Sequence, residues 1–187
     1  SIKIKIQKSE IKTPSASKLL NNLPKDMFCP ILLGIDSYSN PVYFDLNKMP
    51  NLLVGGSTGS GKSVLLHNII LSIIESNSEV YLIDPKMVEF SAYKKLSSVF
   101  SVLHDYDDCL DVLDMIKMIM DDRFESLADS ESRSVLEFNK KNPLNKMNPV
   151  VVVIDEWADI VLQDKAILKP LCSIAQKCRA AGISIVL

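Results

Sequence analysis

The chain has 187 residues, 47% of them hydrophobic and 24% charged, which suits one domain of ordinary size with a substantial core and a normal charged surface. A formal net charge of −2 disfavours a protein that coats nucleic acid through general basicity and leaves only a local basic patch for that purpose. No apolar run approaches the roughly 18 residues that span a bilayer, and the lysine-rich N-terminus lacks the continuous apolar stretch of a signal peptide. The segment is therefore read as cytoplasmic and without membrane contact, a membrane anchor elsewhere in a longer parent protein being left open.

Cys29, Cys109, Cys172 and Cys178 form no CxxC pair, and His67 and His104 are remote from them in sequence. They read as reduced core residues of a cytosolic protein rather than metal ligands.

Ser1–Gln7 alternates apolar and basic residues with period two, which predicts a half-buried strand. Its lysines, with Lys8, Lys12, Lys18 and Lys25, are opposed by Glu10 alone; protection of a sheet edge is preferred to contact with a DNA backbone. Residues 15–22 suit a short helix. Ile31–Asp36 and Val42–Leu46, either side of Ser-Tyr-Ser-Asn-Pro41, predict a hairpin. From Asn51 the pattern changes to strand–helix alternation, the mark of a parallel sheet. Strands are expected at Leu52–Val54, Val80–Asp84, Val99–Leu103, Val150–Asp155 and Ile183–Leu187, and helices at 62–76, 107–127 and about 165–181. The second of these helices carries Leu110, Leu113, Ile116, Met120, Phe124 and Leu127 on one stripe, with acids at its start. The polar stretch 128–148 has at most a helical turn near Val135–Phe138. The unbroken run Val150–Ile154 is that of a central strand buried on both faces. A domain closing on the apolar strand Ile183–Leu187 reads as a fragment of a longer parent.

Two segments carry chemistry. Gly56-Ser57-Thr58-Gly59-Ser60-Gly61-Lys62-Ser63 fits GxxxxGK[ST], with a strand before it and a helix after. Glycines let the backbone curl so that successive N–H groups face phosphate oxygens, and the helix N-terminus adds partial positive charge. Lys62 then reaches the β- and γ-phosphates of ATP, and the Ser63 hydroxyl ligates Mg²⁺. At the end of the valine run, Asp155 and Glu156 lie where a strand meets the ligand crevice of an open α/β sheet. Asp155 suits the Mg²⁺ shell, directly or through water, and Glu156 suits activation of the attacking water. Adjacent carboxylates of this kind point to ATP hydrolysis coupled to motion, with Glu156 and Lys62 as the catalytic residues.

Several stretches resemble the FtsK/SpoIIIE family of DNA translocase motors. They are Leu33-Gly-Ile-Asp36 with Asp45-Leu-Asn-Lys-Met-Pro50, Asn51-Leu-Leu-Val-Gly-Gly56 leading into the phosphate loop, Ile83-Asp-Pro-Lys-Met-Val-Glu-Phe-Ser-Ala-Tyr93, Val153-Ile-Asp-Glu-Trp-Ala-Asp159, and Ala175-Gln-Lys-Cys-Arg-Ala-Ala-Gly-Ile183. The Asp-Pro-Lys and Arg-Ala-Ala-Gly segments make the likeness specific, and Trp157 stands where the family usually has phenylalanine. The resemblance implies an α/β fold, a RecA-like P-loop ATPase core over residues 48–187, incomplete at its C-terminus, after a small β-containing segment over 1–47. In that fold the Ile183 strand lies between the phosphate-loop strand and the Val150 strand. The resemblance further implies double-stranded DNA as partner and self-association into a ring, hexameric in a full-length parent, with a sensor and a trans-acting arginine beyond Leu187. Lys86 is read either as a nucleotide or subunit contact or as a solvated lysine. For Arg179 a role within its own helix is preferred to one facing a neighbouring subunit; Arg123 and Arg133 are the remaining arginines. Two further functions stay open: an FtsK-like ATPase that moves protein, or a conjugative coupling ATPase; and a nucleotide-binding assembly module without turnover.

Overall fold

The computed structural model describes residues 14–57, 59–96 and 99–187. The expected strand at Ser1–Gln7, Lys3, Lys5, Lys8, Lys12 and Thr58 lie outside these. A short helix α1 (Ala16–Leu20) precedes an antiparallel hairpin of β1 (Pro30–Ile35) and β2 (Pro41–Asp45). The turn between them closes on one side chain, Asp36, whose Oδ1 accepts the backbone N–H groups of Tyr38 and Asn40 at 2.8 and 2.9 Å. The chain continues through β3 (Asn51–Leu52), α2 (Lys62–Glu75), β4 (Glu79–Ile83), β5 (Val99–Leu103), α3 (Tyr106–Asp129), α4 (Val135–Lys141), β6 (Val150–Ile154), α5 (Trp157–Gln163), α6 (Leu168–Lys177) and β7 (Ile183–Val186).

Among the described residues, β3 to β7 form one sheet in the order β3-β7-β6-β4-β5, every adjacent pair parallel. This is the mainly parallel sheet expected, and β7 lies between β3 and β6 as the resemblance implied. β6 takes the centre because its β-branched residues pack well on both faces of a pleated sheet. Period two divides them. Val151 and Val153 pack with Leu66, Ile69, Ile70 and Ile73 of α2, and Val150, Val152 and Ile154 pack with Leu113 and Ile116 of α3 and Leu171 and Ile174 of α6. The hairpin joins the α2 layer. Cys29, Ile31 and Leu46 belong to the same cluster, and the buried Ser72 hydroxyl of α2 accepts the Leu32 N–H at 2.9 Å while donating to Asn68 O.

The differences from expectation are local. The expected helix at 165–181 is a 3-10 turn over Lys165–Ile167 followed by the α-helix Leu168–Lys177. The chain leaves that helix through Gly182, whose φ of +67° is left-handed and whose Cα lies so close to Phe28 and Val135 that a Cβ would meet them at 3.1 and 3.3 Å. The turn near Val135–Phe138 extends to a helix capped by Ser134, whose side chain accepts the Glu137 N–H. The buried face of α3 includes Cys109, Val112 and Arg123 beside the stripe, while Leu110 and Phe124 are only half buried. Cys29, Cys109 and Cys178 are buried, whereas Cys172 is exposed, unlike the core placement expected of it. Burial pushes the Cys29 thiol up to about 12 and those of Cys109 and Cys178 to about 11, so they pack as protonated, unreactive groups.

Arg123 is removed from the reckoning of subunit-facing arginines by its environment. Its guanidinium is buried and donates to Ala181 O at 2.7 Å and Asn148 O at 2.8 Å, tying α3 to the segments that enter β7 and β6. Burial pulls its pKa down, opposed by the nearby Glu79. Hydrogen bonds from charged donors contribute about 1.5–3 kcal/mol each, and buried carbonyls left without donors are costly. Arg123→Ala is expected to lower unfolding free energy by about 2–4 kcal/mol in urea titration; a loss below about 0.5 kcal/mol would contradict this anchoring role.

Candidate active site

The glycine-rich loop leaves β3 while its pairing with β7 continues: Val54 N–H donates to Leu187 O at 2.6 Å. Gly59 and Gly61 have φ of +79° and +96°, values that side-chain-bearing residues rarely adopt. Gly56 lies close to Ser60, whose side chain a Cβ at residue 56 would displace. The loop therefore curls tightly over the start of α2, whose first-turn N–H groups have no acceptor within the helix and whose dipole is positive at this end. Around it lies an open cavity of about 500 Å³, lined by Gly56, Ser57, Gly59, Gly61, Lys62 and Ser63 on one side and by Lys86, Glu89, Asp155 and Glu156 on the other. Ser60 belongs to the loop without lining the cavity, its N–H being spent on Ser57 O at 3.0 Å.

Lys62 crosses this cavity. Its Nζ donates to Asp155 Oδ1 at 2.8 Å and lies 3.7 Å from Glu156 Oε2. The hydrogen bond to Asp155 is the main cause raising the Lys62 pKa, partly opposed by desolvation. Asp155 is held at its backbone by β4, N–H to Ile83 O at 2.9 Å, so its side chain starts from a fixed position at the end of the sheet. Glu156 follows at φ +51° and ψ +52°. A left-handed glutamate costs about 1–3 kcal/mol and persists only where its surroundings impose it. Here the imposition comes from the sharp exit of β6 into α5, a helix that the sequence pattern did not reveal.

Lys86 lies on the far side of the cavity. Its Nζ lies 3.1 Å from Asp159 Oδ2 and 3.6 Å from Glu156 Oε2, so it is half exposed yet ion-paired to the residues flanking the cavity. The contact with Asp159 is the leading cause raising its pKa. Arg179 does not reach this cavity. It is exposed and lines a separate one with Arg133, Ser134 and Gln176.

Ser63 has a partner that sequence reasoning missed. Its hydroxyl donates to Glu89 Oε1 at 2.9 Å. Glu89 lies in the turn after β4, which is closed by buried Asp84: Oδ2 accepts the N–H groups of Glu89 and Phe90, both at 2.9 Å. The hydroxyl oxygen of Ser63 and the carboxylates of Asp155 and Glu89 are all hard oxygen donors, the kind a divalent cation such as Mg²⁺ takes.

Comparison with known proteins agrees with this geometry. The sequence profile of the FtsK/SpoIIIE family matches residues 23–187. The chain belongs to the FtsK/SpoIIIE family. It is 38% identical over 161 residues to the DNA translocase SftA of Bacillus subtilis, covering 81% of this chain and 17% of that protein. With the DNA translocase FtsK of Helicobacter pylori the identity is 33% over 165 residues, 83% of this chain and 19% of that protein. The chain thus spans less than a fifth of either relative's length. Among solved structures, the pCW3 conjugation coupling protein TcpA, in a monomer form with ATPγS, superposes with a TM-score of 0.80 at 27% identity, over 96% of this chain and 52% of that one. The cytoplasmic domain of the type VII secretion ATPase EccC of Thermomonospora curvata gives 0.73 at 22% identity over 93% of this chain and 22% of that one, a likeness of fold alone. The FtsK/SpoIIIE core is a P-loop ATPase fold, and the strand order and phosphate loop described above are its elements in this chain.

If the cavity holds nucleotide phosphates, removing the ammonium that crosses it must weaken binding. Lys62→Ala is expected to raise the dissociation constant for ATP by about 10–100-fold, the equivalent of losing one hydrogen bond to a charged group. Equilibrium titration with a fluorescent ATP analogue measures it; unchanged affinity would contradict the assignment of the cavity.

Proposed function

We propose that this chain is the nucleotide-hydrolysing core of a motor that moves double-stranded DNA. The observation carrying this reading is the convergence of Lys62, Asp155 and Glu156 at the mouth of the glycine-rich loop, within 2.8 and 3.7 Å of one ammonium, in a chain 38% identical to a protein named as a DNA translocase. The loop over residues 56–63 cradles the phosphates with the backbone N–H groups of those of its residues that line the cavity, Gly56, Ser57, Gly59, Gly61, Lys62 and Ser63. Lys62 exchanges Asp155 for phosphate oxygens, which bear more charge and match its donors. Ser63 and Asp155 hold Mg²⁺, Asp155 directly or through water; when bound, the cation neutralises charge on the β- and γ-phosphates. Glu156 takes a proton from the attacking water, its left-handed backbone aiming the carboxylate into the cavity mouth beside Lys86. A net charge of −2 leaves no general basic face for DNA, so duplex contact is assigned to a local surface presented within a ring of subunits, hexameric and on the cytoplasmic side. Among the described residues no helix is long and apolar enough to cross a membrane.

A second reading, a conjugative coupling ATPase, draws on the likeness to TcpA at 27% identity over 96% of the chain. The experiment is ATP turnover with and without duplex DNA, on the longest protein that carries this chain. Stimulation by duplex DNA of about ten-fold or more fits the translocase reading; turnover indifferent to duplex DNA would overturn it.

Two variants separate the roles of the adjacent acids. Glu156→Gln keeps shape and hydrogen-bonding reach while removing the base, so hydrolysis should fall by about two orders of magnitude or more with nucleotide binding retained. Asp155→Asn should weaken the Mg²⁺ dependence of nucleotide binding as well. Turnover near wild type in Glu156→Gln, measured beside nucleotide affinity, would show that another group prepares the water.

A further inference from the structure

A serine hydroxyl that ligates a cation does so through oxygen lone pairs, and its hydrogen must then point at an acceptor elsewhere. In this chain the acceptor for the Ser63 hydroxyl is Glu89 Oε1, at 2.9 Å. We propose that Glu89 is a positioning residue for the nucleotide-bound Mg²⁺: its carboxylate takes the Ser63 hydroxyl hydrogen, turns the oxygen lone pairs into the cavity, and adds negative charge beside the cation. The inference rests on the nucleotide site proposed above and adds to it a residue outside the phosphate loop and the Asp155–Glu156 pair.

The surroundings of Glu89 are built to hold one geometry. Ser63 and His67 are four residues apart on α2 and so lie on one face of the helix. Glu89 spans both: Oε1 accepts from Ser63, and Oε2 lies 3.4 Å from His67 Nε2. The other ring nitrogen, His67 Nδ1, is 2.8 Å from the Tyr93 hydroxyl. The ring thus bridges the two, Nδ1 towards the Tyr93 hydroxyl and Nε2 towards Glu89. Tyr93 is buried at 7% exposure and packs edge-on to Phe90 at a centroid distance of 6.5 Å, so the chain ends in the core. The backbone of Glu89 is fixed separately, by the two N–H bonds to Asp84 and by Met87 at φ +56° in the same turn. A carboxylate serving only solubility would need none of this.

Outer partners that orient a metal ligand are worth about 10–100-fold in metal affinity. The test is the Mg²⁺ concentration at which a fluorescent ATPγS analogue reaches half its maximal binding enhancement, together with its dissociation constant in EDTA and the thermal midpoint of the protein. Glu89→Ala is expected to raise the Mg²⁺ midpoint about 10–100-fold while leaving the dissociation constant in EDTA within about two-fold. Glu89→Gln, which keeps an acceptor oxygen but not the charge, should fall between wild type and Glu89→Ala. Tyr93→Phe should move the midpoint the same way by a smaller factor. Should Glu89→Ala not fold, Glu89→Gln and Tyr93→Phe carry the test. An unmoved Mg²⁺ midpoint in these variants, or equal weakening with and without Mg²⁺, would overturn the proposal, the second outcome being that of a purely structural role. Failure of the underlying reading looks different: wild-type protein would then show no saturable binding of the analogue in either condition.

Discussion

An ammonium at the start of α2 and a carboxylate at the end of β6 meet at 2.8 Å, and much of the architecture exists to bring them together. Lys62 and Asp155 are 93 residues apart in sequence. Their meeting requires β6 at the sheet centre, which its five fully buried β-branched residues enforce. It also requires α2 to lie across the same sheet face, which Leu66, Ile69, Ile70 and Ile73 enforce by packing on Val151 and Val153. The parallel arrangement then does the rest, because all strands deliver their carboxyl ends to one edge, where ligands bind in such sheets. A single register slip in β6 would turn Val151 and Val153 away from α2 and carry Asp155 with them.

The pair also balances charge at this site. Asp155, Glu156 and Glu89 bring three carboxylates toward one cavity, an arrangement that repels itself unless cations intervene. Lys62 lies against two of them and Lys86 against Glu156 and Asp159, while Glu89 is engaged by the Ser63 hydroxyl and His67. In the proposed site nucleotide phosphates would compete for the same lysine, so binding would exchange one anion for another rather than fill a neutral hole.

How far the sequence revealed this depends on whether the signal is local. The phosphate loop was legible because its glycines and Lys62-Ser63 are contiguous and their backbone demands are specific. The place of the Ile183 strand between β3 and β6 was legible through the resemblance, and the centrality of Val150–Ile154 through its composition alone. α5 was hidden because Glu156 enters it through a left-handed backbone with no side-chain cap, leaving no conventional start signal. Glu89 was hidden because its partner, Ser63, lies 26 residues away and the turn that aims it depends on the Asp84 side chain, a tertiary arrangement invisible in spacing. Burial alone separates the arginines: Arg123 is held by two carbonyls in the core, whereas Arg179 lies on the surface.

In the proposed site Lys62 would hold Asp155 only until phosphate replaces it. A crystal structure of the chain with Mg²⁺ and ATPγS measures this directly. The account predicts Lys62 Nζ within about 3 Å of phosphate oxygens and detached from Asp155, with the phosphates against the N-terminus of α2. Lys62 still paired with Asp155 beside a nucleotide bound elsewhere would contradict it.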